Sequence, residues 1–460
     1  MASDGWTLFR NRNFTTFLAA RFCSALSTMM IGVAVGWQVY DITHSAFALG
    51  IVGLAQFVPA LVFALPGGLA ADRFDRRAVI LSVYAAELIA AVLLFSIAIF
   101  DFRSAYPIFG VLVIIGAGRS FLSPASHSLL PFIVENKDFP RAVAWNSGVF
   151  QGAIIAGPAL GGFIYAIGPQ WVYGVSVVLL LCSVFFLASM KGHWKLHNAS
   201  AGLKEIFTGV TFVFARKPIL GAISLDLFAV LFGGATALLP VFAKEILSTG
   251  PWGLGILRSA PAVGAALTAL WLAHHPLERD AGKKMFWCVA VFGLATIAFA
   301  LSADFWLSAA ILVVLGAADM VSVIVRQTIV QISTPDEMRG RVSAVNSIFI
   351  GASNELGEFE SGLTAHWFGT VPATVLGGIG TILVVGLWAR MALIPFPILG
   401  PMIAVFTLIG AYSLRHSFFD LWICLVFGVV GYLMRKFDFP VAPMVLATVL
   451  AKLMETSFMQ

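Results

Sequence analysis

The sequence predicts an all-α membrane protein: twelve transmembrane helices in two six-helix pseudo-symmetric halves, plus two or three extra apolar helices at the C-terminus. Three observations carry this. First, 60% of the 460 residues are hydrophobic and 11% charged, with a mean hydropathy of +0.94, whereas soluble domains hold about 25% charged residues. Second, apolar stretches recur along the whole chain, each of the roughly 20 residues that cross a hydrocarbon core. Third, a short pattern occurs twice at an offset of 200 residues: Arg141, Ala144, Asn146, Ser147, Gly157 and Gly162 match Arg341, Ala344, Asn346, Ser347, Gly357 and Gly362. Parallel repeats of this size are an architecture of secondary transporters.

The apolar runs place the first six spans near 16–40, 47–70, 78–100, 106–128, 144–167 and 170–190. The second six fall near 218–242, 251–274, 284–302, 305–330, 341–367 and 371–390. The division is therefore 1–190 for the N-terminal half, 191–217 for a polar connection, 218–390 for the C-terminal half and 391–460 for a hydrophobic tail. Within the connection, Leu203 to Phe214 reads as an interfacial amphipathic helix. Met1 to Asn13 is polar and the first apolar run is already of spanning length, so no cleaved leader is expected.

Charge sets the orientation. With the N-terminus inside, the inner loops collect Arg10, Arg12, Arg73, Arg76, Arg77, Lys137, Arg141, the basic residues of the connection (Lys191, Lys195, Lys204, Arg216, Lys217), Arg279, Lys283, Lys284, Arg339, Arg341 and Arg390. The outer loops keep Arg103 and Lys244. This positive-inside bias accounts for the net charge of +5 without a nucleic-acid partner. Cys23, Cys182, Cys288 and Cys424 lie in apolar runs without metal-ligand or disulfide spacing, and His127, His274 and His275 lack partners at ligand spacing. No metal or cofactor is expected, and with no nucleotide-binding or enzyme-like constellation, no enzyme.

Three motifs carry the chemistry. Gly68, Asp72, Arg73, Arg76 and Arg77 stand in the loop between spans 2 and 3, where Gly68 permits close packing and Asp72–Arg73 can latch the inner side in one state. Span 4 contains Arg119, which either faces a cavity or snorkels to the interface. Span 5 carries Gly152, Gly157, Pro158, Gly161 and Gly162, with Gly157 and Gly161 on one face and Pro158 bending the helix. Further ionisable residues in apolar context are Glu87, Asp226, Arg258, Asp319, Arg326, Glu355, Glu358 and Glu360. Glu355 and Glu358, three apart, share a helix face. Asp226, Arg258, Glu355 and Glu358 are expected to line the central cavity and couple proton entry to substrate exit, with structural pairs such as Asp226–Arg258 the alternative.

The loop motif resembles the G-x-x-x-D-R-x-G-R-R signature of the major facilitator superfamily, with Asp75 at its second glycine. The span-5 run is similar to that superfamily's exporter motif G-x-x-x-G-P-x-x-G-G, and Arg119 to its span-4 arginine, which is linked there to proton coupling. The stretches Trp37 to Asp41, Leu54 to Phe57, Ile223 to Phe228 and Asn354 to Glu360 resemble the branch that contains enterobactin-type siderophore exporters and multidrug efflux proteins. The resemblance covers about residues 8–390. It implies a monomeric, multi-pass protein of the bacterial inner membrane that exports a small molecule against protons. An importer of the same superfamily, or a membrane sensor or assembly subunit, are the alternatives. Beyond Arg390, Phe427 to Pro443 resembles the C-terminal end of the large membrane subunit of tripartite tricarboxylate transporters. Only a fragment of that family is present, so the tail reads as a fused remnant.

Overall fold

In the computed structural model the described residues are 7–135, 137–192, 210–214, 216–275, 281–335 and 338–393, with 426–428, 430, 431 and 434 toward the C-terminus. Met1–Trp388 forms one compact unit and Ala389–Gln460 a second. Among the described residues there are helices and no strands, as required where backbone polar groups find no water.

The helices are α1 (Arg12–Thr43), α2 (Ala46–Val62), α3 (Ala64–Arg73), α4 (Arg76–Ile99), α5 (Tyr106–Ile133), α6 (Phe139–Tyr165), α7 (Pro169–Ala188), α8 (Lys217–Phe232), α9 (Pro251–His274), α10 (Ala281–Leu301), α11 (Phe305–Ile332), α12 (Arg339–Phe368) and α13 (Thr370–Leu393). Ten helical stretches among the described residues are long and apolar enough to cross a membrane, and Ala46–Val62 is a shorter apolar helix.

Two expected spans are broken, each for a local reason. The run 47–70 splits at Phe63 into α2 and α3, because Pro66 has no amide proton to continue the ladder. The run 218–242 stops as an α-helix at Phe232 and continues through a 3-10 turn (Ala235–Leu238) and a π turn (Phe242–Ile246). Gly233, Gly234 and Pro240 interrupt regular hydrogen bonding there. Of the expected amphipathic helix, 210–214 is helical and the remainder lies outside the described residues, as do Lys195, Lys204, Arg279, Cys424 and most of the tail.

Successive helices run back and forth between two ends. At the end where α1 begins, here the basic end, Asn11 Nδ2 donates to Ile133 O at 2.7 Å, Asn13 Nδ2 to Lys191 O at 3.0 Å, and Arg77 Nε to Leu187 O at 3.0 Å. At the far end, Tyr173 Oη donates to Gln38 Oε1 at 2.6 Å. Helices α1, α4, α5, α6 and α7 pack on one another, as do α8 to α12; α2 lies against α12 and α6 against α9.

These last two seams are made by glycine. A Cβ on Gly162 would sit 2.5 Å from Pro251 O and 2.8 Å from Gly255 Cα, and one on Gly362 would sit 2.7 Å from Gly50 Cα. In lipid, where apolar side chains gain little by leaving the solvent, such backbone-to-backbone approach is a main source of helix association. Both seams lie toward the far end. Two polar contacts close the same end: Tyr40 Oη donates to Glu245, and Lys244 pairs with Asp41. Lys244 also lies 6.0 Å from the centre of the Trp37 ring and 5.9 Å from that of Tyr40, within cation–π range.

The hydrophobic core follows the same asymmetry. Toward the far end one cluster joins residues of α1, α2 and α4 to α7 with residues of α9 to α13, including Met30, Val35, Leu254, Leu312 and Ala365. Toward the basic end the core is divided. One cluster, with Phe14, Phe17, Ile80 and Leu129, draws on residues of the first 190; others draw on Val213, α8 and the helices after it, with Ile219, Ile223, Val330 and Val345. The packing is continuous across the molecule at one end and split at the other.

Replacing Gly162 by Ala should lower the unfolding free energy in detergent by about 1–3 kcal/mol through overpacking. Gly152, whose added Cβ meets nothing within 4 Å, should tolerate Ala or gain a few tenths of a kcal/mol to about 1 kcal/mol. Thermal melts of the two variants check the contrast.

Candidate functional site

Bordered in part by the shared core lies a cavity of about 250 Å³. Its wall from α1, α2, α4 and α5 is mostly apolar, with Met29, Val35, Leu49, Val52, Leu112 and Ile115. Set into that wall are Gln56, Glu87 and Arg119; opposite stand Arg258 on α9 and Asn354, Glu355 and Glu358 on α12. An apolar surface carrying a few convergent polar groups is the usual form of a small-molecule site.

The charged groups are individually placed. Arg119 Nη1 pairs with Glu355 Oε1 at 2.7 Å, across the cavity. Its side chain remains 45% exposed, so Arg119 faces the cavity. Arg258 Nη1 donates to Gly32 O at 3.2 Å. Gly32 and Gly36 make the notch for it: a Cβ on either would lie within 3.8 Å of the guanidinium. Glu358 packs over Gly53, where an added Cβ would meet the Glu358 Cβ at 2.9 Å. Glu87 is 4% exposed and accepts one hydrogen bond, from Ser24 Oγ at 3.1 Å.

Of the four residues expected in the cavity, Arg258, Glu355 and Glu358 line it and Asp226 does not. Asp226 is buried among α8 and α11, paired with Arg326 rather than Arg258. Side-chain exposure of 9% and 3% places this pair in the packed interior. Asp319 and Ser322, on α11, line the same small void as Asp226. The reason is rotational: Asp226 sits on the face of α8 turned toward α11, while the cavity is reached by the turn at Ala237 and Pro240. Gln56, Glu87 and Asn354 are cavity residues the motif reading left out; Gly32 and Gly36, spaced i,i+4, were the available signal for the notch.

In the loop signature, Asp75, Arg76 and Arg77 make local contacts that tie helix ends together. Arg76 is buried; its Nε donates to Ser128 Oγ at 2.9 Å and its guanidinium lies 4.7 Å from the centre of the Phe132 ring. Arg77 donates to the carbonyls of Leu187 and Ala188, satisfying acceptors that the end of α7 leaves open. Asp75 caps α4, accepting from Ala78 N at 3.1 Å, which explains an aspartate where the signature has glycine. Gly68 departs from expectation: a Cβ there meets open space, and its neighbour Gly67 makes the close approach, to the backbone of Ser120. The register of α3 turns Gly67 rather than Gly68 toward α5. Arg73 is exposed, and the Asp72 side chain lies outside the described ones. In the span-5 motif Gly157 packs on Met29 and Gly161 on the Met30 backbone. Pro158 O lies against Gly255, which an added Cβ would bring to 2.6 Å.

Among the described residues no three His, Cys, Asp or Glu side chains gather to hold a metal ion. On the loop between α5 and α6, a hydrogen bond from Lys137 Nζ at 2.6 Å holds the Glu135 carboxyl below its ordinary range.

Comparison with known proteins decides the family. The model of the transmembrane secretion effector family, a major facilitator group, matches residues 3–398. The chain belongs to this family. It is 26% identical over 378 residues to the enterobactin exporter EntS of Shigella dysenteriae serotype 1 and, equally, of Escherichia coli O139:H28, covering 80% of this chain and 86% of each relative. Solved structures share the fold. The POT-family transporter PepTSo superposes with a TM-score of 0.65 at 12% identity, covering 83% of this chain and 97% of that one. A mutant of the nucleoside transporter NupG gives 0.64 at 14%, covering 82% and 99%. The protein is thus a multi-pass membrane transporter, not an enzyme. A second model, of the tripartite tricarboxylate transporter TctA family, matches residues 361–446. That match begins inside α12, about thirty residues before the expected junction at 391.

Removing one partner of a buried ion pair leaves a bare charge and costs about 3–5 kcal/mol. Asp226→Asn and Arg326→Gln should each lower thermal stability sharply. The double variant should recover part of that loss, which a double-mutant cycle on detergent melts will measure.

Proposed function

We propose that this chain is a proton-coupled exporter of a small amphipathic molecule, working by alternating access between two six-helix halves of a twelve-span body. The observation that carries the reading is the asymmetric closure. Glycine seams and a shared core join α2 to α12 and α6 to α9 at the far end, while the core is split at the basic end and a charged cavity lies between. A body built this way can rock about the cavity and expose it to either side in turn.

The 200-residue repeat supports two halves. Gly162 approaches α9 as Gly362 approaches α2, and Gly157 lies on α1 as Gly357 lies on α8. Equivalent residues of α6 and α12 thus meet equivalent neighbours. The division is 1–190, 191–217 and 218–390, followed by a fused tail, 391–460. With basic residues inside, the N-terminus is cytoplasmic in a bacterial inner membrane, and the open basic end makes this the inward-open state. The span-5 glycines and the exporter relatives favour outward transport. Glu355 and Glu358, with Arg119 and Arg258, are the coupling residues, and the transporter acts as a monomer.

Cells overproducing the chain should retain less enterobactin, or less of a cationic dye such as ethidium, and an uncoupler should erase the difference. In proteoliposomes, the Glu355→Gln, Glu358→Gln double variant should show no substrate-driven proton flux. Greater uptake on overproduction would make the chain an importer, and unchanged flux in the double variant would remove the two glutamates from coupling. Truncation after Leu393 should leave efflux intact if the tail is a remnant.

A further inference from the structure

The three cavity carboxylates are not equivalent. Glu355 holds Arg119 at 2.7 Å, and Glu358 lies in the field of Arg258 and Arg119. Glu87 has the Ser24 hydroxyl for a donor, and no ion pair within 4.0 Å is found for it among the described residues. An ionised carboxylate held by one hydroxyl in an apolar wall is costly at membrane depth. Two things relieve that cost: a proton, or a cation brought into contact.

The cation is at hand. Arg119 projects from α5, which packs directly on α4, and it is the charge acting on Glu87 from the cavity. Glu87 and Arg119 belong to neighbouring helices of the first set, whereas Glu355 belongs to α12, across the cavity. Arg119 therefore stands between a carboxylate that is its neighbour and one that moves relative to it whenever the two sides rock apart. The other groups facing Glu87 cannot replace it. On α4 itself there is Tyr84, and from α1 comes Ser24; Cys23 and Arg21, also of α1, act on Tyr84. His127 of α5 acts on Arg21, and Cys182 of α7 on Cys23. Arg21 is occupied with Tyr84 and the Phe150 ring, 5.5 Å from its centre. Arg258, Glu355 and Glu358 stand on the opposite wall.

We propose that Glu87 is the group that carries the counter-proton, and that Arg119 controls it by exchanging Glu355 for Glu87. This deepens the exporter reading and rests on it. In the inward-open arrangement Arg119 is held by Glu355, and Glu87 keeps its proton as a neutral acid. A substrate group that engages Glu355 releases Arg119. The guanidinium then pairs with Glu87, the O–H bond of the carboxyl breaks, and its proton leaves through the cavity to the basic side. In the opposite arrangement substrate departs, Glu87 takes a proton from the far side, and Arg119 returns to Glu355. Substrate and proton thus displace one guanidinium in turn, substrate from Glu355 and the proton from Glu87, which yields antiport of one for one.

The test needs no substrate. In a background without the native cysteines, spin-label pairs at Lys137→Cys with Ile332→Cys report the basic end, and Ile167→Cys with Leu301→Cys the far end. Pulsed dipolar distances are taken in nanodiscs from about pH 5 to about pH 9, a span that brackets carboxyl titration in proteins. The expected result is that the wild-type pairs shift in opposite senses with pH. Glu87→Gln should hold the wild-type acid distribution throughout, and Glu87→Asp should keep a pH response. Glu355→Gln, which frees Arg119, should move the transition down by about one pH unit or more, a tenfold change in proton concentration. A Glu87→Gln variant that still follows pH, an Asp variant as flat as Gln, or a Glu355→Gln transition that stays in place overturns the proposal while leaving alternating access standing. Wild-type pairs that move at neither end overturn the alternating-access reading itself. Should Glu87→Gln fail to fold, the Asp and Glu355→Gln arms still decide it.

Discussion

Everything else in this molecule depends on two places where helix backbones touch. In water, α6 and α9 would be driven together by the removal of apolar surface. In lipid that force is nearly absent, because the tails are as apolar as leucine. What remains is dispersion, which is short-ranged and requires close contact. Gly162 against Gly255 and Gly362 against Gly50 provide it. A single methyl at either place would have to push one backbone away from the other. Because both seams lie toward one end, the same packing that joins the two sides also leaves room between them at the basic end, and the position of the cavity follows from that.

The cavity in turn decides which charges the sequence can carry. A lone charge at membrane depth is costly, so it must be paired or reach water. Arg119, Arg258, Glu355 and Glu358 meet this condition by facing a shared space, where each carboxylate has an arginine nearby. Asp226 and Arg326 meet it in the other way, by closing on each other in a packed interior. The first arrangement leaves the charges free to change partners; the second fixes α8 to α11. Similar residue types therefore do unlike work, and the difference lies in which helix face each occupies.

That difference also marks how far the sequence could be read. Span positions, the repeat and the basic asymmetry depend on composition and period, which one chain displays in full; most helix ends fall within a few residues of their expected places. Breaks at Phe63 and Phe232 were legible in principle, since Pro66 and the Gly233–Gly234 pair stand beside them. Asp226 was not. Nothing within Ile223 to Phe228 says which neighbour its polar face will meet, because rotation about the axis of α8 is set by side chains of α10, α11 and α12, which lie far along the chain. Gly68 fails for the same reason at finer scale: two adjacent glycines differ by about 100° around a helix, and the motif alone does not say which faces α5. Glu87 was visible as a buried carboxyl but had no motif, and only its place in the cavity wall distinguishes it from a structural acid.

The pairing of glycine seams with a charged centre also bears on how such a body would switch. Dispersion across a backbone contact loses a quarter to a half of its depth within about 1 Å. A seam of this kind is therefore either made or broken, with little between, which gives two states rather than a continuum. It carries no chemical sensitivity of its own, because no group in it binds a proton or a ligand. Coulombic attraction has the complementary properties: it falls off slowly with distance and responds to every change of charge. Arg119, held by Glu355 across the cavity and acting on Glu87 beside it, lies where a small change in charge is felt by both sides of the molecule. On the proposed cycle, packing would supply the two arrangements and electrostatics would choose between them. Either alone would give a rigid bundle or an uncoupled pore; a coupled transporter needs the glycine contacts at one end and the exchangeable guanidinium at the centre together.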